Sequence, residues 1–331
     1  MKAICISRKF FLDYLFYFFI LTLFFAIASS VRLFGLGADY DGYRAIFYGS
    51  ESTEPAFRLL KIINLFINGN RGTLTFVYFV CAFAGLYLKG IFYLRYSNIF
   101  LLSILFYLFT FYFLHEYTQI RAAVGLGICY LSVDEINKQH FKRFLLRILL
   151  AMCFHYSSVL MILAYFYCNS FSKPKRYIQI LWGTFTVCIL MNAFLHGQSL
   201  LIYLGTSFYS GLFFLGKLGA LNNMNGFSPF NICYFLILIL NTVYYILYHG
   251  FVQKGNDFTI FQLSSLSTIM FYLFFNLGFE VVTFRVSEFF IPFLFIVIPK
   301  IIEKFKEKIF LIPFILLILF YYMRIFVKAV L

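Results

Sequence analysis

The sequence predicts an all-α, polytopic membrane protein, a single integral membrane domain over residues 1–331. Three observations carry that expectation. The chain is 63% hydrophobic, 23% aromatic and only 12% charged, whereas a soluble domain carries roughly 25% charged residues. Its mean hydropathy is +0.88. Its 27 Lys and Arg outnumber its 13 Asp and Glu, and in a membrane protein such cations mark cytoplasmic loops rather than affinity for nucleic acid. Composition thus excludes a soluble enzyme and a nucleic-acid-binding domain.

Lys2, Arg8 and Lys9 precede an apolar run from Phe10 to Ser30, and basic residues before a first span predict a cytoplasmic N-terminus. Ala26-Ile27-Ala28 resembles a signal-peptide cleavage site, but the run is long for a signal peptide and many spans follow. Residues 32–56 read as an outside polar loop holding Asp39, Asp41, Glu51 and Glu54, with Arg44 as its main interior cation. Residues 56–68 are apolar at helical spacing, interrupted by Arg58 and Lys61, the pattern of an interfacial amphipathic helix. The second span runs from about Thr75 to Tyr93, and Lys89 and Arg95 fit a cytoplasmic exit. The third, from about Ile99 to Leu114, ends outside at His115 to Arg121. A short fourth run, Ala122 to Val133, returns inward to the polar, basic loop Asp134–Arg143.

Residues 144–167 allow two readings. His155-Tyr156-Ser157-Ser158 lies in their middle, and Asn169 to Arg176 is basic again. Two consecutive basic loops favour a broken, re-entrant hairpin with His155 near its turn, which membrane depth tolerates only where it lines a cavity or is buried in protein. A length of about 24 residues favours one full crossing. Tyr177 to Leu195 is a further span. Residues 196–228 read as an outside loop with interfacial helices, of which 199–220 crosses if 144–167 does. Spans follow at about 229–248, 258–278, 285–299 and 309–326, with Lys300, Lys304, Lys306 and Lys308 between the last two. The expected total is roughly 10 or 11 membrane segments of about 20 residues each.

No two of the seven cysteines form a C-x-x-C pair, and the five histidines show no metal-ligand spacing. Chemistry therefore falls to a few polar groups beside apolar runs, where a central charge costs about 2.5–3.5 kcal/mol. Asp39, Tyr40, Asp41 and Tyr43, followed by Glu54, can hold a sugar hydroxyl or act as a base, or be an ordinary solvated loop. Gln119 and Arg121 at the start of a short helix make an anion site, unless Arg121 snorkels to lipid phosphate. His155 is a proton carrier or phosphate ligand, or a core histidine bonded between helices. Arg285 enters a long apolar run and needs an anion, which Glu280 or Glu288 would supply in a purely structural pair. Arginines and carboxylates near the outside ends of spans suit a site for a lipid-linked pyrophosphate.

In order and spacing these segments resemble the EpsG-like branch of the Wzy-type polysaccharide polymerases. The resemblance rests on Gly37-Ala38-Asp39 with Tyr43, then Glu54-Pro55-Ala56-Phe57, Gln119-Ile120-Arg121-Ala122-Ala123-Val124, Cys153-Phe154-His155-Tyr156-Ser157-Ser158, and Arg285 in a late span. Ala56 stands where that group usually has Gly, and Ala122 where Gln often follows the Arg. The resemblance implies a glycosyltransferase of the bacterial inner membrane, with a fold similar to the GT-C-like helical ligases, short broken helices and outside loops. Such enzymes join undecaprenyl-pyrophosphate-linked oligosaccharide repeat units at the outer face, with no cofactor, metal or nucleotide. A chain-length regulator protein is an expected partner. Arg121 and Arg285 would hold the pyrophosphate, and Asp39 or Glu54 would orient or deprotonate the acceptor hydroxyl. His155 would support the phosphate or the fold around it. Tyr40 and Tyr43 would stack on sugar rings, with Asp41, Gln119 and Glu288 completing the substrate contacts. Two rivals stand beside this reading. A flippase for lipid-linked sugars should show repeated halves, which the sequence lacks. A GT-C transferase using a polyprenyl-phosphate sugar would use the Asp39/Asp41 pair.

Overall fold

Backbone in hydrocarbon must satisfy its own N–H and C=O groups, which favours helices. Every regular element among the described residues is helical. The computed structural model describes residues 8–35, 37, 39–49, 54–68, 73–170, 173–195, 231–248, 255–277 and 280–304. The expected loop at 196–228 and last span at 309–326 lie outside them, as do Lys2, Glu51, Lys306 and Lys308.

In chain order the helices are α1 (Arg8–Ser30), α2 (Tyr40–Tyr48), α3 (Pro55–Asn68), α4 (Leu74–Tyr96) and α5 (Phe100–Thr110), which runs on into a π-helical turn, Phe113–Thr118. Next come α6 (Ile120–Tyr130), α7 (Val133–Asn137), α8 (Phe141–Met152), a 3₁₀ turn at Tyr156–Val159, α9 (Leu160–Ser170) and α10 (Pro174–Phe194). The remainder are α11 (Ile232–Tyr248), α12 (Asn256–Leu277), α13 (Glu280–Glu288), a 3₁₀ turn at Ile291–Phe293, and α14 (Leu294–Lys304). Among the described residues four stretches are long and apolar enough to cross a membrane: α4, α10, α12 and Val282–Lys304. Phe16–Ser30, α5 and α11 are shorter apolar helices.

Several helices fall short of a full span, as expected for the run from Ala122 and for a hairpin at 144–167. α5, α6 and α9 have 11 residues and α8 has 12, a length of about 17 Å against a hydrocarbon layer of roughly 30 Å. They are sheltered by neighbours. Every residue of α6 except Arg121 is buried. Small residues let it approach α4: a Cβ on Gly85 would lie 2.9 Å from Ala123 Cβ, and one on Gly127 would lie 2.8 Å from Leu88 Cβ. Close backbone approach of this kind drives helix association where no hydrophobic force acts between helices.

Residues 144–167 form a hairpin. The chain breaks at Cys153–His155. Phe141, at the start of α8, packs its ring against Tyr165 and Phe166 near the end of α9, with centroids 5.1 and 6.0 Å apart. The two legs therefore run antiparallel. The turn stops against Gly125 of α6, where a Cβ would sit 2.9 Å from Ser158 Oγ and 3.1 Å from His155 Cβ.

The bundle has two distinct polar ends. At one, Arg95 meets Asp134 at 3.4 Å, Asn256 donates to Asp134 at 2.9 Å, Lys300 pairs with Asp257, and Asn98 donates to Glu303 at 2.6 Å. The other end carries α2, α3, the hairpin turn and the start of α6. There α3 exposes Leu59, Ile62, Phe66 and Ile67 while burying Phe57 and Asn64, as a helix lying in an interface requires.

Candidate functional site

Short helices leave a recess at the second end. The start of α6 packs near the middle of α4, so Arg121 sits well below the level at which α4 begins. The hairpin turn and α13 close the other sides. The result is a cavity of about 380 Å³ whose lining includes Asp39, Tyr43, His115, Gln119, Arg121, His155, Ser157, Arg285 and Glu288.

Arg121 is fixed on several sides. Its Nη1 donates to Glu54 Oε2, and it bonds the Tyr43 hydroxyl. Its guanidinium lies 5.2 Å from the Tyr43 ring centroid and 5.9 Å from that of Phe57. Burial pushes the Tyr43 hydroxyl above its usual pKa against the pull of Arg121, so it keeps its proton. Glu54 is buried and sits just ahead of α3, where its carbonyl accepts from the N–H groups of Phe57 (3.1 Å) and Arg58 (3.2 Å). The N–H of Ala56 donates to Cys153 O at 2.9 Å, which docks α3 on the hairpin turn. The same contact brings His155 Nδ1 to 3.8 Å from Glu54 Oε1.

Arg285 comes from α13, far along the chain. Tyr234 anchors that helix through its hydroxyl, 2.5 Å from Ser287 Oγ, and through its ring, stacked 3.7 Å from Phe271. The structural pair considered for Arg285 with Glu288 does not form. Both line the cavity, yet among the described residues no ion pair within 4.0 Å involves either of them. The Glu280 side chain lies outside the described residues. Gln119 Nε2 finds no hydrogen-bond partner among the described residues.

Thus Asp39, Tyr43, Gln119, Arg121, His155, Arg285 and Glu288 share one cavity, and Glu54 stands directly behind Arg121. Tyr40 and Asp41 do not line it. They border a separate open groove with Arg44 and Tyr48, and the Tyr40 ring stacks 6.2 Å from Tyr78. Among the described residues no group of three or more His, Cys, Asp or Glu side chains is placed to hold a metal ion.

One correction concerns Lys89. It does not mark a loop exit: it is fully buried and pairs at 2.5 Å with Glu116, which is equally buried rather than part of an outside loop. Tyr107 donates to the other oxygen of Glu116 at 2.6 Å and lies 3.3 Å from His115 Nδ1. The sequence signal for this network was two opposite charges, each at or inside an apolar run. A positive-inside reading of Lys89 hid it.

A polytopic helical membrane protein with a mixed-charge cavity sunk between short helices is the class these features define. The family model for the EpsG family matches residues 15–331, and the chain belongs to that family, which is associated with polysaccharide biosynthesis. No curated protein and no solved structure matches it.

Proposed function

We propose that the protein polymerises undecaprenyl-pyrophosphate-linked oligosaccharide repeat units at the outer face of a bacterial inner membrane. One observation carries the reading: Arg121 and Arg285, brought by separate helices, line the same cavity. A cationic pair at membrane depth suits a diphosphate headgroup whose lipid tail remains in the bilayer. The reaction displaces undecaprenyl pyrophosphate from the anomeric carbon of the growing chain by a hydroxyl of the incoming unit. Negative charge grows on the leaving diphosphate, and guanidinium groups fixed in advance stabilise it without reorganising. Arg121 is pre-set by Glu54 and Tyr43, and Arg285 brings a charge with no carboxylate in contact among the described residues. Asp39 and Glu288 supply acceptors for sugar hydroxyls in the same space.

The test is glycan chain length in cells carrying Arg121→Ala or Arg285→Ala at wild-type expression. Each loss should slow polymerisation by about 10²–10³-fold, the effect of deleting one transition-state donor, leaving single repeat units on the surface anchor. Normal long chains would refute the assigned roles. Repeat units trapped on the cytoplasmic side would point instead to a flippase.

A further inference from the structure

Resting on that polymerase reading, we propose that His115 is the proton acceptor of the reaction, oriented by a buried relay that ends on Lys89. The expected bases, Asp39 and Glu54, are differently placed. Glu54 is committed to Arg121, and Asp39 lines the cavity from the start of α2. His115 lines the same cavity and is otherwise buried, with its ring stacked 5.0 Å from Phe111.

The hydrogen-bond directions fix the tautomer. Lys89 Nζ donates to Glu116 Oε1 at 2.5 Å, and the Tyr107 hydroxyl donates to Glu116 Oε2 at 2.6 Å. A carboxylate is the stronger acceptor, so the Tyr107 proton is spent on it. The Tyr107 oxygen can then only accept from His115, across 3.3 Å to Nδ1. Nδ1 therefore carries the hydrogen, and Nε2, with no protein partner among the described residues, keeps its lone pair. The π-helical turn makes this possible by setting His115 and Glu116 on the same tyrosine, with Ser29 Oγ bonding the Glu116 carbonyl at 2.8 Å. π-Turns often mark functional sites. A buried ion pair alone is weak evidence, since apolar residues often replace one without loss. This pair is joined to a cavity-facing imidazole.

In the step, the acceptor hydroxyl gives its proton to His115 Nε2 as its oxygen bonds the anomeric carbon. The bond from that carbon to the pyrophosphate oxygen breaks, and its electron pair leaves with the diphosphate. Lys89, Glu116 and Tyr107 are positioning residues.

The experiment uses the full-length protein in proteoliposomes with undecaprenyl-pyrophosphate-linked repeat units, reading elongation and equilibrium binding of the lipid-linked donor. His115→Ala should lower kcat by about 10²–10⁴-fold with donor binding and KM unchanged, and added imidazole should restore part of the rate. The paired change Lys89→Met with Glu116→Gln should lower kcat alone. Wild-type kcat in His115→Ala overturns the proposal, as does a loss that imidazole leaves untouched while the donor still binds. If His115→Ala does not fold, His115→Gln fills the same space, and wild-type turnover in it is equally fatal. If the unaltered protein binds the donor but makes no polymer, the polymerase reading itself falls and takes this proposal with it.

Discussion

Glu54 joins three segments through one residue. Its carboxylate holds Arg121 and faces His155, and its carbonyl starts α3. Asp39 lines the same cavity but makes no side-chain bond to the start of α2. The two carboxylates should therefore separate by experiment. Glu54→Ala removes a charge-assisted, partly buried bond and should cost about 1.5–3 kcal/mol, seen as a lower unfolding temperature in detergent together with shortened glycan chains. Asp39→Ala should shorten chains while shifting stability by no more than about 0.5 kcal/mol. Equal destabilisation of both would contradict the distinction. At this scale much of the cavity was legible in the sequence, because a charged or amide side chain beside an apolar run has few inexpensive places to go. Tyr40 and Asp41, adjacent to Asp39 in the chain, stand outside the cavity. On a helix, residues one and two apart do not share a face, whereas Asp39 and Tyr43 are four apart and do. Lys89 misled because a lysine within reach of a span end looks the same whether it exits to a loop or pairs inside.

The short helices decide where the site lies. α6 can carry Arg121 below the membrane surface only because glycine and alanine let it nest against α4 on one side and the hairpin turn on another. Gly125 tests the hairpin side of that packing, since a side chain there meets Ser158, His155 and the Ala151 carbonyl. Gly125→Leu should push the turn away, cost about 1–3 kcal/mol by overpacking, and reduce polymer length even though Gly125 is not among the cavity-lining residues. Unchanged stability and product would mean that the turn has room to move. The amphipathic helix α3 and the long spans were readable from hydropathy and length. The short helix α6 was readable as well, from the brief apolar run after Arg121, but the end of α5 at Thr110 was not, because a length rule counts apolar residues without knowing whether lipid or protein surrounds them. The hairpin stayed ambiguous for a related reason: charge pointed one way and length the other, and the ring contacts between Phe141 and Tyr165 decide it.

The whole molecule has a basic end and a cavity end, and the functional reading depends on which side of the membrane each faces. Lys138 and Lys173 sit in the short connections at the first end, with Lys142, Arg143 and Lys175 in the adjoining first turns of α8 and α10, and such clusters are retained in the cytoplasm. α1 finishes at the second end, where Ser29 meets Glu116, so the helix starts toward the first. Cysteine labelling tests the arrangement directly. Six described cysteines are free thiols, five of them buried, and the natural cysteines can be replaced before single new ones are placed at exposed sites. Asp41, Lys138 and Ser170 are all exposed. A membrane-impermeant maleimide should label Asp41→Cys in cells whose inner membrane is intact. It should reach Lys138→Cys and Ser170→Cys only after that membrane is permeabilised. Ser170 is the informative position, because a hairpin at 144–167 returns it to the side of Lys138 whereas a single crossing places it with Asp41. Labelling of Ser170→Cys alongside Asp41→Cys would overturn the hairpin. Exchange of all three results would turn the cavity toward the cytoplasm, where polymerisation at the outer face could not occur.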